Sequence, residues 1–363
     1  MGVQPGCHAA HHWTERPVST VDPSPQANSR PKVSVIIPVY DGEHTIRPCL
    51  ESVAASDYPN FEIILVDDGS TDGSRQKAQG LYDRLVSLGR NMGAAKARNC
   101  GAAVSTGDIL FFLDADITIE RDTLTRIVQG LQERPDVSAL FCSYQKDTVP
   151  RNFFSVYKNL VHHYTHQISR ADAATFCAGF GAIWREVFLA MDGFDESYRS
   201  LEDVELGYRL YRAGHKIWLN KDIQVEHWKH YTLRGLLRSD VLHRAKPWTQ
   251  IMLQKRILRS DLNTRAENAL SLLISFAMLA ALPLLPFWSP LRLPFLGLTL
   301  LFLALNSRLY AFFLREKGPA FLLQAMPMNW FSYLYSGVGL VLGVLAYLRQ
   351  LGLERTPSCR NPT

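Results

Sequence analysis

The sequence GDILFFLDAD, residues 107–116, joins a buried-strand pattern to two carboxylates. The five consecutive apolar residues from Ile109 to Leu113 are typical of a strand covered on both faces in a parallel sheet. Asp114 and Asp116 follow at once, so we expect them at the sheet edge where open α/β sheets bind ligands. Side chains two residues apart share one side of an extended chain, and two carboxylates can hold a hard divalent cation. The stretch therefore predicts a cation site able to carry a diphosphate. The alternative for an isolated Asp-x-Asp pair is a helix cap or a solvent contact.

Two further apolar runs lie N-terminal to this stretch. They are VSVIIPV at 33–39 and FEIILV at 61–66, and each ends in a polar turn that leads into a helical pattern. Strands that alternate with helices in this way form parallel sheets with crossover helices. The sequence thus predicts an α/β fold with a mostly parallel sheet flanked by helices, whose polar turns lie at the same edge as Asp114.

Polar residues after the second run offer a nucleotide-binding surface. Asp67 and Asp68 could accept hydrogen bonds from a nucleoside, although capping of the following helix is the other interpretation of this turn. An alanine-rich helical stretch from residue 94 carries Lys96 and Arg98 near its start. Its small residues permit close approach to the sheet, its N-terminal end favours an anion, and its cations could neutralise phosphates.

A second group of candidates lies between residues 176 and 228. It begins with the Gly-rich sequence CAGFGA at 177–182, which suits a backbone that passes close to a ligand. Glu202 and Asp203 fall near the start of a predicted helix, where a carboxylate either serves as a surface helix start or deprotonates a hydroxyl. A strand pattern at 216–225 leads to His227, which is either a structural histidine or a further metal ligand beside the predicted carboxylates.

Composition limits the classes of protein that fit. The 363 residues carry a net charge of +5, without a dense basic stripe interleaved with aromatics, which fits a membrane surface better than a nucleic acid. The six cysteines form no CxxC pair and no zinc spacing, so we expect a reduced, cytosol-facing catalytic part. Residues 1–30 contain no apolar core of a signal peptide and are expected to be a disordered leader.

The C-terminal part has the pattern of a membrane region. A basic amphipathic segment at 231–266 is expected to lie on an anionic leaflet. Apolar stretches at 269–288, 291–314 and 330–348 then predict two or three transmembrane helices within 267–350, before a tail at 351–363. Arg308 interrupts the second stretch and leaves an interfacial hairpin as the alternative to a span. The positive-inside rule favours a cytoplasmic catalytic domain.

Together these motifs resemble the family 2 glycosyltransferases, which are inverting enzymes of the GT-A fold that use nucleotide sugars. The resemblance covers roughly residues 31–228, and we expect the catalytic domain at 31–230. It rests on five elements in the family's order, namely VSVIIPVYDGEHTI, FEIILVDDGSTDGS, NMGAAKARNCGAAVSTGDILFFLDAD, CAGFGAIWREVF and the Glu202-Asp203 pair.

The resemblance implies roles for individual residues. Asp114 and Asp116 would hold Mn²⁺ or Mg²⁺ on the diphosphate, and Asp203 would be the catalytic base beside Glu202. His227 is a candidate further ligand from its position after the strand pattern alone. Donor binding is expected at Pro38, Tyr40, Asp67, Asp68, Arg98 and Asp114.

The expected function is that of a membrane-bound hexosyltransferase-like enzyme. It would move one sugar to a hydroxyl of a lipid or lipid-linked glycan, at the cytoplasmic side of a plasma membrane, in envelope glycan synthesis. The QxxRW signature of processive members is missing, although Arg244 and Trp248 lie in the comparable region, so a single transfer is expected. One alternative is a polyprenyl-phosphate sugar synthase, whose phosphate acceptor needs no base. A catalytically silent membrane scaffold is the alternative from another class.

Overall fold

The computed structural model describes residues 30–255 and 266–354. Nearly all of the predicted leader, much of the predicted tail and Arg256, Arg259 and Arg265 of the basic segment lie outside the described residues. The described chain forms two compact units. The first comprises residues 30–143 and 171–228, and the second comprises 144–170, 229–255 and 266–354. Residues 144–170 thus lie in the second unit, although the predicted catalytic domain at 31–230 includes them.

Nine strands of the described residues form the sheet of the first unit. They are β1 (Val33–Val39), β2 (Phe61–Asp67), β3 (Arg84–Ser87), β4 (Ile109–Leu113), β5 (Ile117–Thr118), β6 (Val137–Tyr144), β7 (Asp172–Ala173), β8 (Phe180–Trp184) and β9 (Lys216–His227). Their order is β3-β2-β1-β4-β8-β6-β9-β5, with β7 paired to β9.

The sheet is mixed rather than mostly parallel. Strands β3, β2, β1 and β4 run parallel, and the apolar runs predicted at 33–39 and 109–113 are β1 and β4. Next to them β8 pairs antiparallel with both β4 and β6. Because the side chains of β1 and β4 are buried along nearly their whole length, these strands form the centre of the α/β core, with their C-terminal ends at one edge.

The helices of the described residues follow in chain order. They are α1 (Ile46–Ala54), α2 (Ser74–Ala78), α3 (Ala94–Val104), α4 (Thr123–Gln132), α5 (Phe153–Ile168), α6 (Arg185–Ala190), α7 (Glu202–Arg212), α8 (Leu233–Arg238), α9 (Lys246–Lys255), α10 (Ala266–Ala281), α11 (Arg292–Leu305) and α12 (Ser307–Glu354). A π-helical segment, Ser239–Ala245, joins α8 to α9, and short 3₁₀ turns follow α10 and precede α11.

The second unit is helical and has its own apolar core. Aromatic side chains dominate this core, among them Tyr157 of α5 and Phe313 of α12. Within the described residues two helical stretches, Ala266–Leu284 and Ser307–Leu351, are long and apolar enough to cross a membrane, and Ser289–Leu305 is shorter. Helix α12 has a break at Gly318, whose φ is +80°.

The three apolar stretches predicted from the sequence do not correspond one to one with these helices. The stretch at 291–314 is divided at Asn306, where α11 ends and α12 begins. The Asn306 amide donates to the carbonyl of Phe302 (2.9 Å) and to Ser271 (3.2 Å), so a polar junction interrupts the apolar run. The stretch at 330–348 lies inside α12, and the stretch at 269–288 covers most of α10 and the turn after it.

Candidate active site

The candidate site lies at the edge where the parallel strands end. Strands β1 and β2 run in register, with Val39 opposite Asp67, and β4 runs parallel to β1 and ends just before Asp114. The acidic turns that follow β1, β2 and β4 therefore lie along one edge of the sheet. This is the placement expected from the sequence for a ligand site.

A buried arginine joins two of the predicted carboxylates. Arg98 of α3 is 5% exposed; one terminal nitrogen donates to Asp114 Oδ1 (2.6 Å) and the other donates to Glu202 Oε1. Burial would lower the pKa of Arg98, but Asp114 and Glu202 raise it above its usual value. Both terminal nitrogens thus contact carboxylates, although the sequence placed Arg98 against the nucleotide. This geometry favours a positioning role, in which Arg98 fixes two acidic side chains relative to each other.

Asp203 lies in the first turn of α7, beside this ion-paired group. Its Oδ2 accepts a hydrogen bond from the Ala178 N–H (3.1 Å), and its Oδ1 accepts one from the Val204 N–H (2.8 Å). Burial and the Glu202 carboxylate raise the pKa of Asp203 to about 6, against the opposing effect of Arg98. A general base works best with a pKa near the operating pH, so Asp203 has the chemistry of a base while Glu202 is held in an ion pair.

A glycine lets α7 approach the chain that contacts Asp203. A Cβ on Gly207 would lie 2.3 Å from the Phe176 nitrogen, so a larger residue would force the helix away from residues 175–178. Asp203 precedes Gly207 by one helical turn, and the same close approach brings its carboxylate to Ala178. Leu201, in the left-handed region at φ +63°, sets the start of the helix.

Asp116 and His227 converge just beyond Asp114. Strands β5 and β9 pair antiparallel with Ile117 opposite His227, and this register brings His227 Nε2 to 3.7 Å from Asp116 Oδ2. Asp114 Oδ2 faces Gly179, where an added Cβ would lie at 2.9 Å. Small residues therefore leave room at the Asp-x-Asp turn.

The acidic side chains of this edge offer a partial set of ligands for the expected divalent cation. Among residues 30–255 and 266–354, no group of three or more His, Cys, Asp or Glu side chains is arranged as a complete metal cage. Asp116 and His227 nevertheless converge, and Mg²⁺ is commonly held by one or two carboxylates with substrate phosphates and water supplying the remaining oxygens. The residues thus fit a cation whose coordination the donor diphosphate completes.

The acidic pair after β2 is deeply buried. Asp67 Oδ1 accepts from the Ser70 N–H (2.9 Å), and its Oδ2 pairs with Arg75 (3.2 Å). Asp68 accepts from the N–H groups of residues 92 and 93 at 2.6 and 2.9 Å, which fixes the loop before α3. Both carboxylates therefore shape the loops of the edge, and contact with a nucleoside stays a prediction.

The two other predicted donor contacts lie at the end of β1. Pro38 is partly exposed within the strand, and Tyr40 is 49% exposed just after it. Asp41 raises the pKa of Tyr40 further above its ordinary value, and the phenol is neutral near pH 7. An exposed neutral ring at this edge offers a surface on which a base could stack.

Sequence reasoning missed the residues that hold Asp203 in place. The Gly-rich segment that begins at Cys177 suggested close approach to a ligand, whereas its Ala178 N–H contacts Asp203 and its Gly179 faces Asp114. A glycine within a predicted helix is costly unless packing requires it, so Gly207 was the available signal.

Part of the chain is similar to known glycosyltransferases. Residues 34–190 match the model of Glycosyl transferase family 2. An uncharacterized glycosyltransferase of Haemophilus influenzae is 31% identical over 185 residues, which cover 49% of this chain and 61% of that protein. The succinoglycan biosynthesis protein ExoA of Rhizobium meliloti is 28% identical over 245 residues, which cover 60% of this chain and 73% of that protein.

A solved structure shares the fold. The mannosyltransferase PcManGT from Pyrobaculum calidifontis, in complex with GDP-Man and Mn²⁺, matches with a TM-score of 0.51 at 21% identity, covering 92% of this chain and 88% of that one. The match supports a GT-A type of fold, as the sequence motifs predicted. The match over residues 34–190 agrees with the family resemblance that the sequence motifs indicate, and the chain spans about three fifths of the length of the Haemophilus relative.

Proposed function

We propose that the chain is a membrane-bound inverting glycosyltransferase that moves one sugar from a nucleotide sugar to a hydroxyl of a lipid or lipid-linked glycan. The observation that carries this proposal is Asp203, a carboxylate with a pKa of about 6 that lies beside the ion-paired Asp114, Arg98 and Glu202. The nucleotide sugar and Mn²⁺ named in the similar mannosyltransferase structure support the donor class and a divalent cation.

The proposed step is a single displacement at the anomeric carbon. Asp203 accepts the proton of the acceptor hydroxyl as its oxygen forms the new glycosidic bond, and the bond to the nucleoside diphosphate breaks with its electron pair leaving on the phosphate oxygen. The backbone N–H groups at Ala178 and Val204 hold the carboxylate in place. Attack from the face opposite the leaving group inverts the configuration.

The other acidic residues position the donor. Asp116 and His227 would hold Mn²⁺ or Mg²⁺, with Asp114 at the adjoining turn, and the cation when bound stabilises negative charge on the departing diphosphate. Glu202 acts as a positioning residue, because its ion pair with Arg98 connects the Asp203 helix to the Asp114 turn. Asp67, Asp68, Pro38 and Tyr40 would form the nucleoside side of the site.

The acceptor assignment rests on three observations. The two long apolar helical stretches support a membrane location. The placement of the catalytic domain at the cytoplasmic face of the plasma membrane is proposed from the positive-inside rule. The polysaccharide biosynthesis named in the Rhizobium relative supports envelope glycan synthesis. A base with a raised pKa is useful for a neutral hydroxyl and unnecessary for a phosphate acceptor, which favours this assignment over a polyprenyl-phosphate sugar synthase.

The test uses the purified full chain in lipid extract with UDP-, GDP- and dTDP-sugars that carry a labelled sugar, each with Mn²⁺, Mg²⁺ or chelator. We expect turnover of one donor class that requires the cation and moves label into the organic phase. The Asp203→Asn variant serves as the inactive control. Label confined to the aqueous phase would contradict the lipid acceptor, and wild-type levels of turnover in the variant would contradict the base.

A further inference from the structure

The helical unit contains a cavity of about 610 Å³ that the proposed reaction does not use. Its walls come from α5, the π-helical segment, α9, α10 and α12, all within the helical unit. Apolar side chains such as Val161, Leu272 and Leu309 form much of the lining. Charged and hydrogen-bonding groups form the rest, so the cavity is amphipathic.

A buried charged cluster forms one part of the wall. Lys158 donates to both carboxylate oxygens of Asp240, at 2.7 and 2.8 Å, and the Tyr335 hydroxyl donates to Asp240 at 3.0 Å. Arg244 contacts His162 Nε2 at 2.7 Å. Burial would raise the pKa of Asp240, but Lys158 and Arg244 lower it below its usual value, so Asp240 is ionised.

The charges of the lining do not balance. The lining contains three side chains of formal positive charge, Lys158, Arg244 and Arg308, against the carboxylates Asp240 and Glu267. The excess of one positive charge lies in a partly apolar cavity, where an anion would be bound more strongly than in water. The cavity therefore favours an anionic occupant.

A tryptophan supplies a second, independent indication. Trp248 lines this cavity, and its indole nitrogen is buried and has no hydrogen-bond partner among the described residues. A buried donor without an acceptor is unusual and calls for a ligand or another acceptor. The π-helical geometry of Ser239–Ala245, which carries Asp240 and Arg244, is itself frequent at functional sites.

A polar network lines another part of the cavity. Asn329 donates to Asn306 (3.0 Å), and the Tyr333 hydroxyl contacts Asn306 (3.1 Å) and Asn268 (3.3 Å). Polar side chains inside membrane helices are costly and commonly mark a substrate path. This network provides a polar surface within helices that otherwise present apolar side chains to their surroundings.

We propose that this cavity binds a membrane lipid through a phosphate-bearing head group. Arg244 and the Trp248 N–H contact the phosphate oxygens, and the apolar wall holds the first part of the hydrocarbon chain. The inference rests on the proposed function only in placing the helical unit in a membrane. Its test requires no sugar donor, so a failure of glycosyl transfer would leave the result interpretable.

The experiment is native mass spectrometry of the detergent-solubilised full chain titrated with phosphatidic acid, with diacylglycerol and inorganic phosphate as separate arms. We expect saturable binding of one phosphatidic acid, with neither of the other probes replacing it. Arg244→Gln is expected to weaken binding at least about tenfold, as for loss of a hydrogen bond to a charged group. Trp248→Phe keeps the ring and is expected to weaken binding about two- to tenfold.

Two matched controls separate the cavity from general effects. Trp330 has a buried indole nitrogen without a hydrogen-bond partner in the described chain, yet it does not line the cavity, and Arg238 is an exposed cation on α8. Trp330→Phe and Arg238→Gln are expected to bind as the unsubstituted chain does. Unchanged affinity in both Arg244→Gln and Trp248→Phe would overturn the proposal. Equal binding of diacylglycerol would overturn the phosphate contact, and displacement by inorganic phosphate at similar concentration would overturn the lipid assignment.

Discussion

Replacing Asp203 with asparagine removes the proposed base and keeps the shape of the side chain. Positioned general bases typically contribute about 10²- to 10⁴-fold to the rate, and we expect kcat to fall by that range while donor affinity stays unchanged. Because burial and Glu202 raise the pKa of Asp203 to about 6, kcat/KM of the unsubstituted chain should fall as the pH drops through about 6. This acidic limb should be missing in Asp203→Asn.

Asp203→Asn lowers activity, but it is not expected to lower the stability of the fold at high pH. The folded state holds the Asp203 proton more tightly than the unfolded chain, so its contribution to the free energy of unfolding is full at low pH and is lost as the pH rises through about 6. At pH 8 removal of the buried charge is therefore expected to stabilise the asparagine variant by up to about 3 kcal/mol. Its amide nitrogen cannot accept from a backbone N–H, so one of the two donors, Ala178 or Val204, loses its acceptor at a cost of about 1–3 kcal/mol, and the variant should remain folded.

The assay combines pH–rate profiles with thermal unfolding at pH 5 and 8. Asp195→Asn is the matched control, because Asp195 is an exposed acid on the loop before α7 and should change neither profile. An Asp203→Asn variant that retains its activity and its acidic limb would refute the assignment of the base. Loss of activity caused by unfolding at pH 8 would refute the account of its burial.

Three further substitutions test the geometry around the base. Gly207→Ala places a Cβ against the Phe176 nitrogen. It should lower the free energy of unfolding by about 1–3 kcal/mol in denaturant titrations and also lower kcat. Unchanged values of both quantities would contradict the close approach of helix α7 to residues 175–178. Glu202→Gln removes a negative charge that raises the pKa of the base, so the acidic limb should move below pH 6 while activity persists. Complete inactivity in a folded protein would instead make Glu202 the base. His227→Ala should raise the Mn²⁺ concentration needed for half-maximal activity by about 10-fold or more, and an unchanged requirement would remove His227 from the cation site.

Continuous apolar runs made the central strands predictable from the sequence. A parallel strand buried on both faces requires such a run, and VSVIIPV and ILFFL accordingly match β1 and β4 residue for residue. The strand Phe180–Trp184 was not predicted, because its glycine suggested a loop that passes close to a ligand. Gly181 is needed there for packing, since a Cβ would lie 2.4 Å from the Cys177 carbonyl oxygen.

Contacts between distant residues limited the prediction of the site. Arg98 and Glu202 lie 104 positions apart, and neither local periodicity nor spacing indicates that they form an ion pair. The proximity of His227 to Asp116 likewise depends on the pairing register of two distant strands. The residue types predicted the chemistry, whereas tertiary packing decides which carboxylate is held in an ion pair and which retains the properties of a base.

The central claim is that a hydroxyl assisted by Asp203 displaces the nucleoside diphosphate in one step. The most direct measurement is the anomeric configuration of the new glycosidic bond, determined by NMR on product made from a donor of defined configuration. We predict inversion, so that an α-linked donor gives a β-linked product. Retention of configuration would require a second displacement and would contradict the proposed mechanism.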